Sequence, residues 1–252
     1  MTMQYSKRSV LRQAMIALAV FVSLFTLLAP SSAQDYAAIV AAPDRADGDR
    51  QTDQRRDPVK LLAFTGVKNG MTVLDMGAGG GYSTELMARA VGPSGKVYGQ
   101  DFETSPRAKE RFDARMKTDA MKNVVALARP FDDPLPADVA NVDLITFFFF
   151  YHDTTYMAVD RAAMNKKLFG ALKPGGFLVI ADHSAQPGAG TSVSKTLHRI
   201  EESSLRGEVE AVGFKLVGSG DWLRHPEDPR DERIFQPKVP VDEFVLKFQK
   251  PN

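Results

Sequence analysis

The stretch Val73-Leu74-Asp75-Met76-Gly77-Ala78-Gly79-Gly80-Gly81 constrains this chain more than any other. It joins a short apolar, β-branched run, Met71 to Met76, to a turn built of glycines. Tyr82 to Val91 follows, with Leu86, Met87, Ala90 and Val91 spaced to share one side of a helix. Glycines between a strand and a helix let the backbone turn sharply and approach a ligand closely. The first helical N–H groups then point outward, at whatever the turn holds.

Two ligand classes suit such a turn: a dinucleotide, or a nucleoside such as S-adenosylmethionine. The glycine spacing separates them. Dinucleotide binding uses G-x-G-x-x-G, and counted from Gly77 the third glycine position holds Tyr82. The chain reads D-x-G-x-G-x-G instead, on Asp75, Gly77, Gly79 and Gly81. A second strand, Lys96 to Gly99, ends in Gln100-Asp101, where an acidic side chain can accept hydrogen bonds from both ribose hydroxyls in either class. Asp75, the glycines and Asp101 together resemble the first motifs of class I S-adenosylmethionine-dependent methyltransferases.

Residues 1–33 read as a leader. Lys7, Arg8 and Arg12 are their only charges, Ala14 to Ala29 is apolar, and Ser31-Ser32-Ala33 offers small residues before Gln34. This is the layout of a secretory signal peptide. The apolar run is short of the roughly 20 residues that span a bilayer, so an uncleaved anchor is the lesser reading. The expectation is an exported protein, periplasmic or secreted, with no stable membrane span once the leader is cut. Cleavage takes three positive charges from a formal +1 and leaves −2, which gives no electrostatic footing for a nucleic-acid partner. The chain has no cysteine, so thiol nucleophiles, Cys-ligated zinc and iron–sulfur clusters are excluded.

Residues 34–57 form a charged, poorly periodic lead-in, read as a segment laid over the domain surface, with one of its arginines closing over the pocket as the functional alternative. Asp57-Pro58 reads as the N-cap and first residue of a helix through Phe64. Further strands are read at Asn123–Ala128, Val142–Phe149, Phe177–Ala181, Gly213–Val217 and Phe244–Phe248, and helices from Thr104 to Ala120, from Asp153 or Thr154 to Phe169, and from Ser192 to Val212. Phe147–Phe150 is read as core, and Arg224–Pro240 as a long loop. This alternation predicts one α/β domain over residues 58–252: a Rossmann-like, mostly parallel, seven-stranded sheet with helices on both faces.

Other stretches carry the resemblance further. Leu172-Lys173-Pro174-Gly175-Gly176 resembles the family's turn into the fifth strand, and Glu210-Ala211-Val212-Gly213-Phe214 its lead into a late strand. With the leader, the chain resembles a group of predicted exported bacterial methyltransferases. The resemblance implies S-adenosylmethionine as cofactor, held by Asp75, Gly77, Gly79, Gly81, Asp101 and Asp132. Asp75 would bind turn amides or stand near the sulfonium and amino group, Asp101 would take the ribose, and Asp132 the adenine amino group. Asp133 competes with Asp132 for that role, and an Asx turn before Pro134 explains either residue without a ligand.

Methyl transfer from a sulfonium is an in-line displacement, so the enzyme mainly positions the nucleophile and, where needed, removes its proton. Candidates stand at the carboxyl ends of the fourth and fifth strands, in Tyr151-His152-Asp153 and Asp182-His183. His152 is expected as general base and His183 as a second base or acceptor contact; the plainer reading of each is a histidine with a satisfied hydrogen bond. His152, Asp153, Asp182 and His183 lack a diagnostic metal-ligand spacing, and no metal is expected. His198 and Glu202, four apart, read as a solvated helix face. The expected function is methyl transfer to a small or medium-sized acceptor. The alternatives are a non-catalytic nucleoside-binding protein on the same fold and an NAD-dependent oxidoreductase, against which Tyr82 stands.

Overall fold

The computed structural model describes residues 34–102 and 104–252; the leader reading concerns residues 1–33, which lie outside these. The strands are β1 (Thr72–Met76), β2 (Lys96–Asp101), β3 (Val124–Ala128), β4 (Val142–Phe148), β5 (Leu172–His183), β6 (Lys215–Gly220) and β7 (Glu243–Gln249). They form one sheet in the order β3-β2-β1-β4-β5-β7-β6. β1 to β5 run parallel to one another, and β7 lies antiparallel between β5 and β6. Strand order reverses beside β1, between β1 and β4, and an open α/β sheet holds its ligand outside the carboxyl ends of the strands at such a point.

The alternation of side chains sorts the core into two layers. Val73, Leu144, Val179 and Val245 face one cluster, whereas Leu74, Ile145, Ile180 and Leu246 face the other. The first layer is closed by α3 (Pro58–Thr65) and α4 (Tyr82–Val91), and the second by α6 (Arg161–Ala171) and α8 (Glu202–Glu210). Of the phenylalanine block, Phe147 is fully buried in the second layer, as expected of core. Among the described residues no helix is long and apolar enough to cross a membrane.

Four expectations change. The lead-in is helical, as α1 (Tyr36–Ala41) and α2 (Asp47–Arg56). Its Arg45 and Asp49 are buried, because Arg45 pairs with Asp53 at 2.8 Å and Asp49 with Arg115 of α5 (Pro106–Arg115). The helix after β2 therefore stops at Arg115, five residues short of Ala120, and a separate 3-10 turn follows at Asp119–Met121. After β4 the chain makes a 3-10 turn, Tyr151–Thr155, and α6 begins only where Asp160 caps it through Ala163 N at 3.0 Å. The long helix read from Ser192 to Val212 is two pieces, α7 (Ser194–Leu197) and α8, broken at His198-Arg199-Ile200. Ile200 pairs there with the end of β5, its N–H donating to His183 O and its carbonyl accepting from Ala185 N, both at 2.9 Å.

Candidate active site

The turn after β1 is held from beneath. Asp75 is buried and accepts hydrogen bonds from the hydroxyls of Ser83 at 2.8 Å, Thr84 at 2.7 Å and Thr146 at 2.7 Å. Burial pushes its carboxyl up against these bonds. Asp75 thus ties the first turn of α4 to β1 and β4. Of its two expected roles, the bonds to turn amides give way: its partners are hydroxyls, two supplied by the residues after the turn and one by β4.

The three glycines have positive φ, and a side chain would fare differently along the turn. A Cβ at Gly77 would meet the Phe150 ring at 3.0 Å, and one at Gly81 would meet Arg115 Cδ at 3.0 Å. At Gly79 a Cβ would meet nothing nearer than 3.9 Å. Gly77 and Gly81 are therefore required by packing, whereas the surface beside Gly79 is open. Asp101, at the end of β2, accepts the Gly79 N–H at 2.8 Å, and Gln100 Oε1 lies 3.3 Å from Gly77 N.

Above the turn lies a cleft of about 860 Å³, lined by Gly77, Gly79, Tyr82, Arg56, Arg115 and Phe149 among others. α2 forms its outer wall and is latched down by Arg115, which reaches Asp49, Glu85 and the Gly80 carbonyl. Tyr82 donates to Asp53 at 2.7 Å from the other end of the latch. Arg56 crosses over the Phe149 ring at 4.2 Å; burial lowers it to about 10, which still leaves it charged at neutral pH. Of the lead-in's arginines, Arg55 and Arg56 line the cleft. Phe149 itself sits at φ 59, rare for so bulky a residue, and is held by its N–H to Ala181 O at 2.7 Å. A second cavity of about 310 Å³ meets the cleft at Gly79 and is lined by Asp101, Phe102 and the end of β3.

These cavities suit S-adenosylmethionine. Gly79 leaves its backbone bare where a Cβ would fill the space, and Asp101 offers a half-buried carboxylate beside it. In the loop after β3, Asp133 is engaged by Arg129 and by Lys167 at 3.0 Å. Asp132 lines neither cavity but has no ion-pair partner among the described residues, which leaves it the freer acceptor of the two.

The ends of β4 and β5 bring His152 and His183 together, their ring centroids 5.6 Å apart. Both are buried, and neither lines the cleft; Phe149 does, and packs 5.2 Å from His183. His152 Nδ1 stands 2.7 Å from Asp182 Oδ1, and the backbone N–H groups of His152 and His183 both donate to Asp182 at 2.8 Å. Burial works against charge on His152, but Asp182 and Asp153 outweigh it and raise it to about 10. Burial lowers His183 to about 3 and pushes Glu243 up to about 7. His183 Nδ1 lies 2.9 Å from Glu243 Oε1, off the direction of a hydrogen bond.

Three residues of this cluster were missed from sequence. His198 stands 3.3 Å from His152, Tyr156 meets Asp153, and Glu243 faces His183. Spacing puts His198 on a solvated helix face together with Glu202; the helix is broken between them, and the ring turns inward. No periodicity in the sequence marks that break.

The sheet order, the turn after β1 and the cleft above it define a Rossmann-like methyltransferase fold. A family model described as a methyltransferase domain matches residues 67–222. A demethylmenaquinone methyltransferase of Lactococcus lactis is 32% identical over 200 residues, covering 76% of this chain and 73% of that protein. A chloroplastic 2-phytyl-1,4-beta-naphthoquinone methyltransferase of Arabidopsis thaliana is 28% identical over 121 residues, covering 48% of this chain and 45% of that one. The solved S-adenosylmethionine-dependent methyltransferase of Aquifex aeolicus superposes with a TM-score of 0.56 at 20% identity, over 81% of this chain and 99% of its own. The chain belongs to this methyltransferase family. It is an enzyme of that class, and its methyl donor is S-adenosylmethionine.

Proposed function

We propose that the enzyme methylates a small or medium-sized acceptor carrying a quinone-type aromatic ring. The observation that carries the donor half is the open surface at Gly79 beside Asp101, within a cleft large enough for a nucleoside with an amino-acid tail. S-adenosylmethionine, when bound there, supplies the methyl group. Gly79, Asp101 and Asp132 would hold it, with Arg56 closing the cleft and Gly77, Gly81 and Asp75 keeping the turn in shape. The acceptor half rests on the two relatives, both named for naphthoquinone-type acceptors, and on the aromatic wall of Tyr82, Phe149 and Phe150.

His152 and His183 border the acceptor side behind Phe149. As a cation between Asp182 and Asp153, His152 orients and donates; it takes up a proton only once it has lost its own. His183 is the neutral imidazole of the pair. We place the main catalytic contribution with positioning, since the His152 cation has no free base and burial disfavours protonating His183. Residues 1–33 are proposed to be an export signal, which N-terminal sequencing of the protein from a periplasmic fraction would test by finding Gln34 first.

The test is calorimetric binding of S-adenosylmethionine and S-adenosylhomocysteine, beside Asp101→Ala, followed by transfer of labelled methyl groups to naphthoquinol, phenol, amine, thiol and carboxylate acceptors. Binding lost in Asp101→Ala and turnover confined to the quinol-type ring support the proposal. Turnover of another class alone would replace the acceptor, and no binding to the folded chain would remove the donor site.

A further inference from the structure

We propose that His152, Asp153 and His198 bind one zinc-class divalent metal ion. Their ligand atoms form a triangle: His152 Nε2 to His198 Nδ1, His152 Nε2 to Asp153 Oδ1, and His198 Nδ1 to Asp153 Oδ1 are each 3.3 Å. A tetrahedral ion with ligands at about 2.0–2.1 Å holds them about 3.3–3.4 Å from one another. Hydrogen bonds between charged partners draw in further, to about 2.7–2.9 Å, and His152 shows the contrast on one ring. Its Nδ1 meets Asp182 at 2.7 Å, whereas its Nε2 keeps both neighbours at 3.3 Å.

The surroundings have the form of a metal site. Asp182 accepts from His152 Nδ1 at 2.7 Å, which leaves Nε2 as the ring atom facing the triangle, its proton given up to solvent when an ion binds; a carboxylate behind a ligating histidine is a regular outer partner of metal sites. Asp182 is itself held by the two backbone N–H groups of His152 and His183. His198 adopts φ 56, uncommon for a residue with a side chain, and so turns its ring against His152. The next residue, Arg199, anchors that conformation: it is buried and bonds Asp228 at 2.7 Å and the carbonyls of Ser184 and Glu232 at 3.0 Å.

The donor set selects the metal. Two imidazoles and one carboxylate suit zinc, cobalt or iron, whereas calcium and magnesium take oxygen ligands. Three protein ligands leave a fourth position, as in metal sites that bind water or substrate. The exposed Tyr156 stands on that side, its hydroxyl against Asp153 and 3.5 Å from His198 Nδ1. The triangle begins two residues after Phe150, which lines the cleft. A metal here therefore borders the acceptor side, although the site stands on its own geometry and not on the methyl-transfer reading.

The experiment is titration of the chelator-treated full chain with Co²⁺, read by visible absorption, with Zn²⁺ competition and calorimetry alongside. The expected result is one equivalent of cobalt with the intense bands of a tetrahedral ion, displaced by zinc. Affinity should fall about 10- to 100-fold in Asp182→Asn, and stoichiometric binding should vanish in His198→Ala. His225→Ala, at a histidine whose side chain pairs with Glu227, should bind as wild type. Absence of cobalt uptake by the folded wild-type chain would overturn the proposal, as would one equivalent still bound after His198→Ala with Asp153→Asn. S-adenosylmethionine binding measured on the same samples reports the fold and the donor site independently.

Discussion

Replacing Gly79 and Gly81 by alanine, one at a time, separates the pocket from the fold. Their φ angles are 51 and 82, so alanine at either costs about 1–2 kcal/mol in backbone strain. At Gly81 the new Cβ also meets Arg115 Cδ at 3.0 Å and Phe112 at 3.1 Å. Neither neighbour yields freely, since Arg115 is tied to Asp49 and Glu85 and Phe112 is packed in the core. Overpacking adds about 1–3 kcal/mol, which makes about 2–5 kcal/mol in all. That is a large part of the roughly 5–15 kcal/mol that holds a typical domain together. At Gly79 only the backbone cost applies, and the methyl group projects into ligand space. Urea unfolding should therefore show the larger loss for Gly81→Ala, while calorimetry shows S-adenosylmethionine binding weakened about tenfold or more in Gly79→Ala, about 1.4 kcal/mol. Equal stability losses, or wild-type binding by Gly79→Ala, would refute the division of labour argued from the turn.

The remaining predictions concern what surrounds that turn. Asp49→Ala leaves Arg115 paired with Glu85, so the loss should be about 1–3 kcal/mol in urea unfolding. S-adenosylmethionine should also bind more weakly, because the α2 wall loses its latch; an unchanged Kd would show that α2 is no part of the site. Thr146→Val removes one of three donors from the buried Asp75 and should cost about 1–3 kcal/mol, read in the same unfolding assay. Burial pushes the Asp53 and Asp228 carboxyls up, but Arg45 and Tyr82 at one, and Arg199 with backbone N–H groups at the other, bring both below the usual carboxylate range. A depressed folded pKa contributes stability above the unfolded value of about 3.9 and loses it as pH falls through the folded one. Urea midpoints should accordingly drop between pH 5 and pH 3, and a flat profile would remove these two pairs as the cause of acid sensitivity.

The sheet was legible because its signals are local and repeat along the chain. Val73 and Leu74 alternate between two core layers, and the glycines stand at the one strand end where strand order reverses. The lead-in was misread for a physical reason. Its charges look solvated in sequence, yet Asp49 pairs with Arg115 and Asp53 with Tyr82, 66 and 29 residues away, while Arg45 pairs with Asp53 inside the segment, and such partners make burial tolerable. Among the site residues, Asp101 beside Gly79 follows from the βα turn, which any chain with that spacing repeats. The opposition of Asp133 to Lys167 depends on how a loop meets α6, and no spacing in the sequence announces it.

The broken helix is the most instructive departure. Ser192 to Val212 contains no proline, so nothing local forbids a helix running through His198. Arg199 decides otherwise. Its guanidinium reaches Asp228 in the late loop, and its neighbour Ile200 takes up strand-like pairing with the end of β5. A continuous helix would forfeit both, leaving Asp228 buried without its arginine, at a cost of about 3–5 kcal/mol. The strain at His198 is smaller than that, about 1–3 kcal/mol for a non-glycine residue in the left-handed region. The tertiary contacts therefore outweigh the helical preference, and the position left over at the break is a histidine turned toward His152 and Asp153. Arg199→Ala should release that strain, let the helix run on and withdraw His198 from the triangle. Loss of cobalt binding in Arg199→Ala, with S-adenosylmethionine still bound, would show the long-range pair setting the geometry of the site; retained cobalt binding would show that His198 holds its place without it.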